Sequence, residues 1–136
     1  MAEIKINVVI KSAPAKVYDA VTIQEGLAGW WSKQTTAKPE VGHVNVFLFG
    51  KFRNEMEVVK LVPGKRVEWK ILNSIDEWIG TTVSFDLEEK DGNTLLRFAH
   101  ADWRAVTDTF AGCTYDWARF LQSLKLLCET GVGTPA

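Results

Sequence analysis

Residues 108–131 read DTFAGCTYDWARFLQSLKLLCETG, and this stretch decides the fold. Phe110, Cys113, Trp117, Phe120, Leu121, Leu124 and Leu127 recur at spacings of three and four, with Asp116, Arg119, Gln122, Ser123 and Lys125 over much of the other side. That is the apolar stripe of one long amphipathic helix of about five turns. It should start after Thr107 or Asp108, with Thr109 or Asp108 satisfying its first amide donors. Gly131, Gly133 and Pro135 should end it. A stripe this wide must be buried against an apolar surface, and the preceding chain offers one made of strands.

Upstream of the helix, Val83, Phe85 and Leu87 alternate with Ser84, Asp86 and Glu88, and Asp91-Gly92 is a hairpin signal from which Asn93 to His100 returns. Before that, Val67, Trp69 and Ile71 alternate with Glu68 and Lys70 after the turn signal Pro63-Gly64. Val44 to Phe49 and Met56 to Val62 read as two more strands, separated by the polar stretch Lys51 to Glu55. At the start of the chain, Ile4, Ile6, Val8 and Ile10 share one face of a strand over residues 3–11. Ser12, a cap candidate, and Pro14 then open a short helix containing Val17, Tyr18 and Val21. Gly26 and Gly29 interrupt the pattern, so two short helices end around Trp30-Trp31. The sum is an α+β domain spanning residues 1–136: a meander of antiparallel strands with the long helix laid across its concave face. Space left between those layers is the natural ligand site.

Composition narrows the function. Across 136 residues, 16 Lys plus Arg face 17 Asp plus Glu, a formal charge of −1. No basic excess marks a nucleic-acid or anionic-membrane partner. No stretch approaches the ~20 apolar residues of a membrane span. Cys113 and Cys128 fall on one helix, about 22 Å apart along its axis, too far for a disulfide. Two free thiols and no secretory signal point to the cytoplasm. Six Trp, seven Phe and two Tyr imply a thickly packed core or a cavity walled by rings.

The order of elements resembles the helix-grip fold of the START-like superfamily, also called the Bet v I or polyketide-cyclase-like group. Within it the chain is similar to the activator-of-heat-shock-protein-90-ATPase homologue-like (AHSA-type) family. The features that carry the likeness are Ala13-Pro14-Ala15-Lys16-Val17-Tyr18-Asp19-Ala20, Trp30-Trp31, and Pro63-Gly64-Lys65-Arg66-Val67-Glu68-Trp69, which matches the family's Pro-Gly-x-Arg-x-x-Trp turn and strand. Thr81 to Glu88, Thr94 to His100 and the terminal helix with Trp117 and Leu121-x-x-Leu124 complete it. The chain departs from the family where Gly-Trp is usual in the last helix and Asp116-Trp117 stands here. The resemblance implies a curved sheet of about six or seven strands around the C-terminal helix, enclosing a hydrophobic cavity. It implies no single activity, and neither chaperone activation nor a cofactor is carried over.

His100 shares strand parity with Leu96 and Phe98 and is expected to face the helix, as a ligand contact, a general base, or a satisfied core histidine. Asp102 has the same parity and is the candidate to orient it. His43, His100 and Asp102 are too few for a zinc site, and no metal is expected. Cys113 reads as a buried structural thiol on the apolar stripe rather than a nucleophile, and as a ligand-lining candidate there. Trp69, Trp78, Trp103, Trp117, Phe85 and Phe98 are the cavity candidates, with Leu121 beneath them and Trp103 and Phe110 as gates. Asp76-Glu77 could select a basic ligand at the mouth. Binding of a hydrophobic or amphipathic small molecule, lipid-, sterol- or polyketide-like, is the expected function, with His100 or a tryptophan N–H fixing its polar end. The alternatives are a cyclase, aromatase or hydrolase using His100 with Asp102 or Tyr18, and a protein-interaction or chaperone-associated module of the heat-shock ATPase activator type that docks a partner protein through a strand edge or Trp30-Trp31. A protein partner or a homodimer is the expected assembly.

Overall fold

The computed structural model describes residues 1–136. Its elements run β1 (Ala2–Ile10), α1 (Pro14–Ala20), α2 (Gln24–Trp30), β2 (Gln34–Thr36), β3 (Val44–Phe49), β4 (Phe52–Val62), β5 (Arg66–Asn73), β6 (Thr82–Lys90), β7 (Asn93–Trp103) and α3 (Asp108–Thr130). The fold is the α+β domain that the pattern of the chain implies, in the helix-grip arrangement that the resemblance implies. Seven antiparallel strands lie in the order β1-β7-β6-β5-β4-β3-β2, so the meander is continuous and β1 closes it by pairing with β7.

Helix α3 is longer than expected, 23 residues or about six turns. Its cap is Thr107 rather than Thr109 or Asp108. Thr107 has extended backbone and its Oγ1 accepts the Phe110 N–H at 3.2 Å. Only the residue before the first turn can fold its side chain back onto those amides. Gly131 ends the helix in the left-handed conformation at φ 89°, its N–H bonded to Leu127 O. Helix α1 departs from expectation too. Ala13 is its cap and makes no side-chain bond. Pro14 at the first position has no N–H to satisfy, and the Ser12 carbonyl instead accepts the Thr94 hydroxyl.

The Asp91-Gly92 turn forms as read, with φ positive at both residues, the signature of a two-residue type I′ hairpin. The polar stretch after β3 is not a loop. The chain reverses at Gly50-Lys51, Phe49 pairs with Phe52, and Arg53 to Glu55 lie within β4. Strand β7 runs past His100 to Trp103 through an irregularity at Asp102, whose φ is 69°. The opposing register shifts between Ala2 and Ile4. The extra residue breaks parity: Trp103 is buried and Asp102 turns outward to accept the Thr82 hydroxyl. Asp102 therefore does not orient His100.

Between sheet and α3 the interior is filled by rings. Trp31 stacks on Trp30, Trp69 and Trp117 at centroid distances of 6.0, 6.1 and 5.1 Å. Phe85 packs edge-on against Trp69 and Phe98 at 5.2 and 5.4 Å. Each such pair adds ~0.5–1.5 kcal/mol beyond simple burial. Trp30 and Trp31 are almost wholly buried. They do not form an exposed docking site, because both are needed to fill the space beneath α3. The Trp30 indole N–H is spent on Ala20 O at 2.8 Å.

Candidate functional site

One opening reaches this aromatic layer, a cleft of about 200 Å³ at the end of the sheet–helix interface. Trp31 and Trp117 are its nearly closed floor. Phe49 and Phe52, paired across the β3–β4 hairpin, form one wall. Ile75 and Trp78, from the loop between β5 and β6, form another, and Cys113, Asp116 and Phe120 come from the first half of α3. Asn54 and Ser74 add polar atoms, already bonded to each other through Ser74 Oγ and Asn54 Oδ1. A second depression, about 280 Å³, lies where α1, α2 and the end of α3 meet, lined as much by Lys16, Asp19 and two glycines as by apolar side chains.

Trp78, Cys113 and Trp117, among the expected site residues, line the cleft. Trp69, Phe85, Phe98, Trp103 and Leu121 are buried elsewhere in the core, and Phe110 packs edge-on against Trp103 at 5.0 Å, outside the cleft lining. The rings expected to wall an empty space instead fill it, since close packing recovers contacts that a void would forfeit. Trp31, Phe49, Phe52, Asn54, Ser74, Ile75, Asp116 and Phe120 were not anticipated. The sequence places Phe120 on the apolar stripe of α3 and Asp116 on its polar side. Phe49 and Phe52 become neighbours only once the hairpin tightens around Gly50.

His100 sits beside this cleft and is wholly buried. Its Nδ1 accepts the Trp117 indole N–H at 3.1 Å. An indole nitrogen only donates, so the imidazole is neutral with its proton on Nε2. That proton points to Thr81 Oγ1 at 2.8 Å, and the Thr81 hydroxyl donates to Trp78 O at 2.5 Å. The chain Trp117–His100–Thr81–Trp78 is thus satisfied from end to end. Burial pushes the imidazole pKa down from 6.5 to about 3. His100 holds the two tryptophans that stack 5.9 Å apart, both in the cleft wall, rather than presenting a free nitrogen.

The Trp78 indole N–H is buried and has no hydrogen-bond partner. Burial raises the pKa of the Cys113 thiol, and the Trp78 N–H favours its thiolate. Asp76 and Glu77 lie outside the cleft lining and knit the loop to α3. Glu77 accepts the Thr107 hydroxyl at 2.6 Å, which holds its carboxyl below the usual range, and Arg104 donates to Asp76 O at 2.6 Å. Cys113 and Cys128 are both free. His43 is engaged with Asn45, and no three His, Cys, Asp or Glu side chains cluster as a metal site. No helix is long and apolar enough to cross a membrane.

Against this geometry stand the known proteins. The family described as Activator of Hsp90 ATPase homolog 1-like protein matches residues 11–129. No curated protein matches the chain. Among solved structures it is similar to the Aha1 dimer from Colwellia psychrerythraea, at 38% identity and a TM-score of 0.90, over 98% of this chain and 100% of that one. A Mesorhizobium loti protein superposes with a TM-score of 0.82 at 21% identity, over 93% of this chain and 96% of its own. A Bacillus halodurans protein does so with a TM-score of 0.80 at 20% identity, over 95% and 98%. These last two likenesses concern the fold.

Proposed function

The chain belongs to the Activator of Hsp90 ATPase homolog 1-like family, and from that premise we propose that it binds a hydrophobic or amphipathic small molecule in the cleft between sheet and α3. The observation that carries this is an apolar, ring-lined opening in an otherwise filled interior. Its size sets the ligand class. An apolar cavity of ~150 Å³ takes benzene, whereas drug-sized ligands occupy ~300–1,000 Å³. At about 200 Å³ the cleft suits one substituted ring or a short branched chain, with any larger body left at the surface. Neither the Trp78 N–H, which is fully buried, nor His100, both of whose nitrogens are engaged, presents a free polar contact, so the lining rings carry the binding. For the same reason the reading is of binding rather than turnover: both nitrogens of the expected base are bonded, burial makes it a weak base, and His100, Asp102 and Tyr18 all lie outside the cleft lining.

The Colwellia psychrerythraea relative is a dimer, which supports self-association of this chain as well, to be checked by sedimentation. Two unpaired thiols suit a reducing, cytoplasmic setting. Native mass spectrometry of protein from its own host, followed by titration of a panel of small lipophiles, tests the binding reading. We expect co-purified mass or saturable quenching of tryptophan emission, both lost in Cys113→Phe, which plugs the cleft. Binding that survives the plug would place the ligand elsewhere.

A further inference from the structure

We infer that the ligand of this cleft is an organic cation, a quaternary or tertiary ammonium carried on a small apolar body; the inference rests on the binding role proposed above. Three observations converge. First, the lining is aromatic to an unusual degree: Trp31, Phe49, Phe52, Trp78, Trp117 and Phe120 are six of its eleven residues. Trp31 and Trp117 are closed off by their own stacking, but Phe49, Phe52, Trp78 and Phe120 are only partly covered and keep π surface open. The negative face of a ring attracts a cation, and several rings around one weakly hydrated ammonium form a cage.

Second, the only charged side chain in the lining is the carboxylate Asp116; no Lys, Arg or His lines the cleft. Within the lining an anionic ligand would meet the Asp116 carboxylate and no cationic side chain, whereas a cation gains a partner there.

Third, the chain already places a cation on this rim. The Arg119 guanidinium lies 5.3 Å from the Phe120 centroid and 5.7 Å from that of Tyr115, and its Nη2 is 3.2 Å from Asp116 Oδ1. Both members of that pair remain about half exposed, so the bond is weak and exchangeable. Arg119 is the chain's own competitor for Asp116 and the neighbouring ring. A ligand ammonium, less strongly hydrated than a lysine head and able to enter deeper, would take over the same two contacts.

The test compares two probes of one shape, (4-hydroxyphenyl)trimethylammonium and its uncharged carbon isostere 4-tert-butylphenol, titrated against the whole chain while the indole N–H resonances are followed. The cation should bind about tenfold more tightly. Asp116→Asn should weaken the cation about fivefold and the phenol by much less. Arg119→Ala should move cation affinity the opposite way, about threefold tighter, a gain that no folding defect produces. Equal binding of the two probes, or equal weakening of both by Asp116→Asn, would overturn the cation assignment and leave cleft binding standing. Binding by neither probe would overturn both.

Discussion

Removing the imidazole of His100 should flatten the acid side of the stability profile. The folded protein holds this ring neutral, with a pKa near 3 against an ordinary 6.5. Between those values the unfolded chain binds a proton that the folded chain refuses, so the stability contributed by the neutral ring is complete above about pH 6.5 and declines as pH falls toward 3. The slope is about 1.4 kcal/mol per pH unit, so by about pH 4.5 the loss reaches about 2.7 kcal/mol. Geometry explains why the penalty is not relieved: an imidazolium would turn a second N–H toward the Trp117 indole N–H and leave two donors facing each other. Urea unfolding at about pH 7.5 and about pH 4.5 should therefore show a larger acid loss in the native chain than in His100→Gln, the difference being about 2–3 kcal/mol. Carboxylates such as Glu129 and Glu77 titrate in both proteins and cancel in the comparison. Equal acid losses in the two proteins would refute the buried, neutral His100, as would an imidazole resonance that titrates near pH 6.5.

Three stability predictions follow from the packing. Thr107→Ala removes the oxygen that accepts the Phe110 amide and one of the hydroxyls bonded to Glu77; it should cost about 1 kcal/mol by urea unfolding. A Cβ at Gly26 would sit 2.6 Å from Ala20 Cα and 2.9 Å from Asp19 O, so Gly26→Ala should destabilise by about 1–3 kcal/mol, although alanine is the better helix former. Leu121 is fully buried at the centre of α3, and Leu121→Ala should cost about 2–5 kcal/mol, read as a lower urea midpoint at unchanged slope.

How much of this was legible in the chain depends on the range of the forces involved. Helix α3 and the Asp91-Gly92 hairpin were visible because their signals are local: a stripe at period 3.6, and two residues able to take positive φ. Strand β2 was not, because Gln34–Thr36 has no alternation of its own and is a strand only through pairing with Val46, Phe47 and Leu48. Parity arguments placed His100 correctly and failed two residues later, where the Asp102 irregularity shifts the register. The cleft was the hardest feature. Periodicity says which face of a strand is inward; it does not say which inward rings meet. Trp69, Phe85 and Phe98 close on one another in the core, while Phe49 and Phe52, at the tip of the β3–β4 hairpin, stay partly exposed and line the cleft.

The most direct test of the cleft as a binding site follows the six indole N–H resonances, assigned by Trp→Phe substitution one at a time, during titration with 4-tert-butylphenol. The account predicts saturable shifts at Trp78, Trp117 and Trp31, which line the cleft, and none at Trp69 or Trp103, which lie outside it. Shifts largest at Trp69 or Trp103 would mean the ligand enters the core instead, and no shift at any of the six, with this phenol or with its trimethylammonium counterpart, would contradict binding at this site altogether.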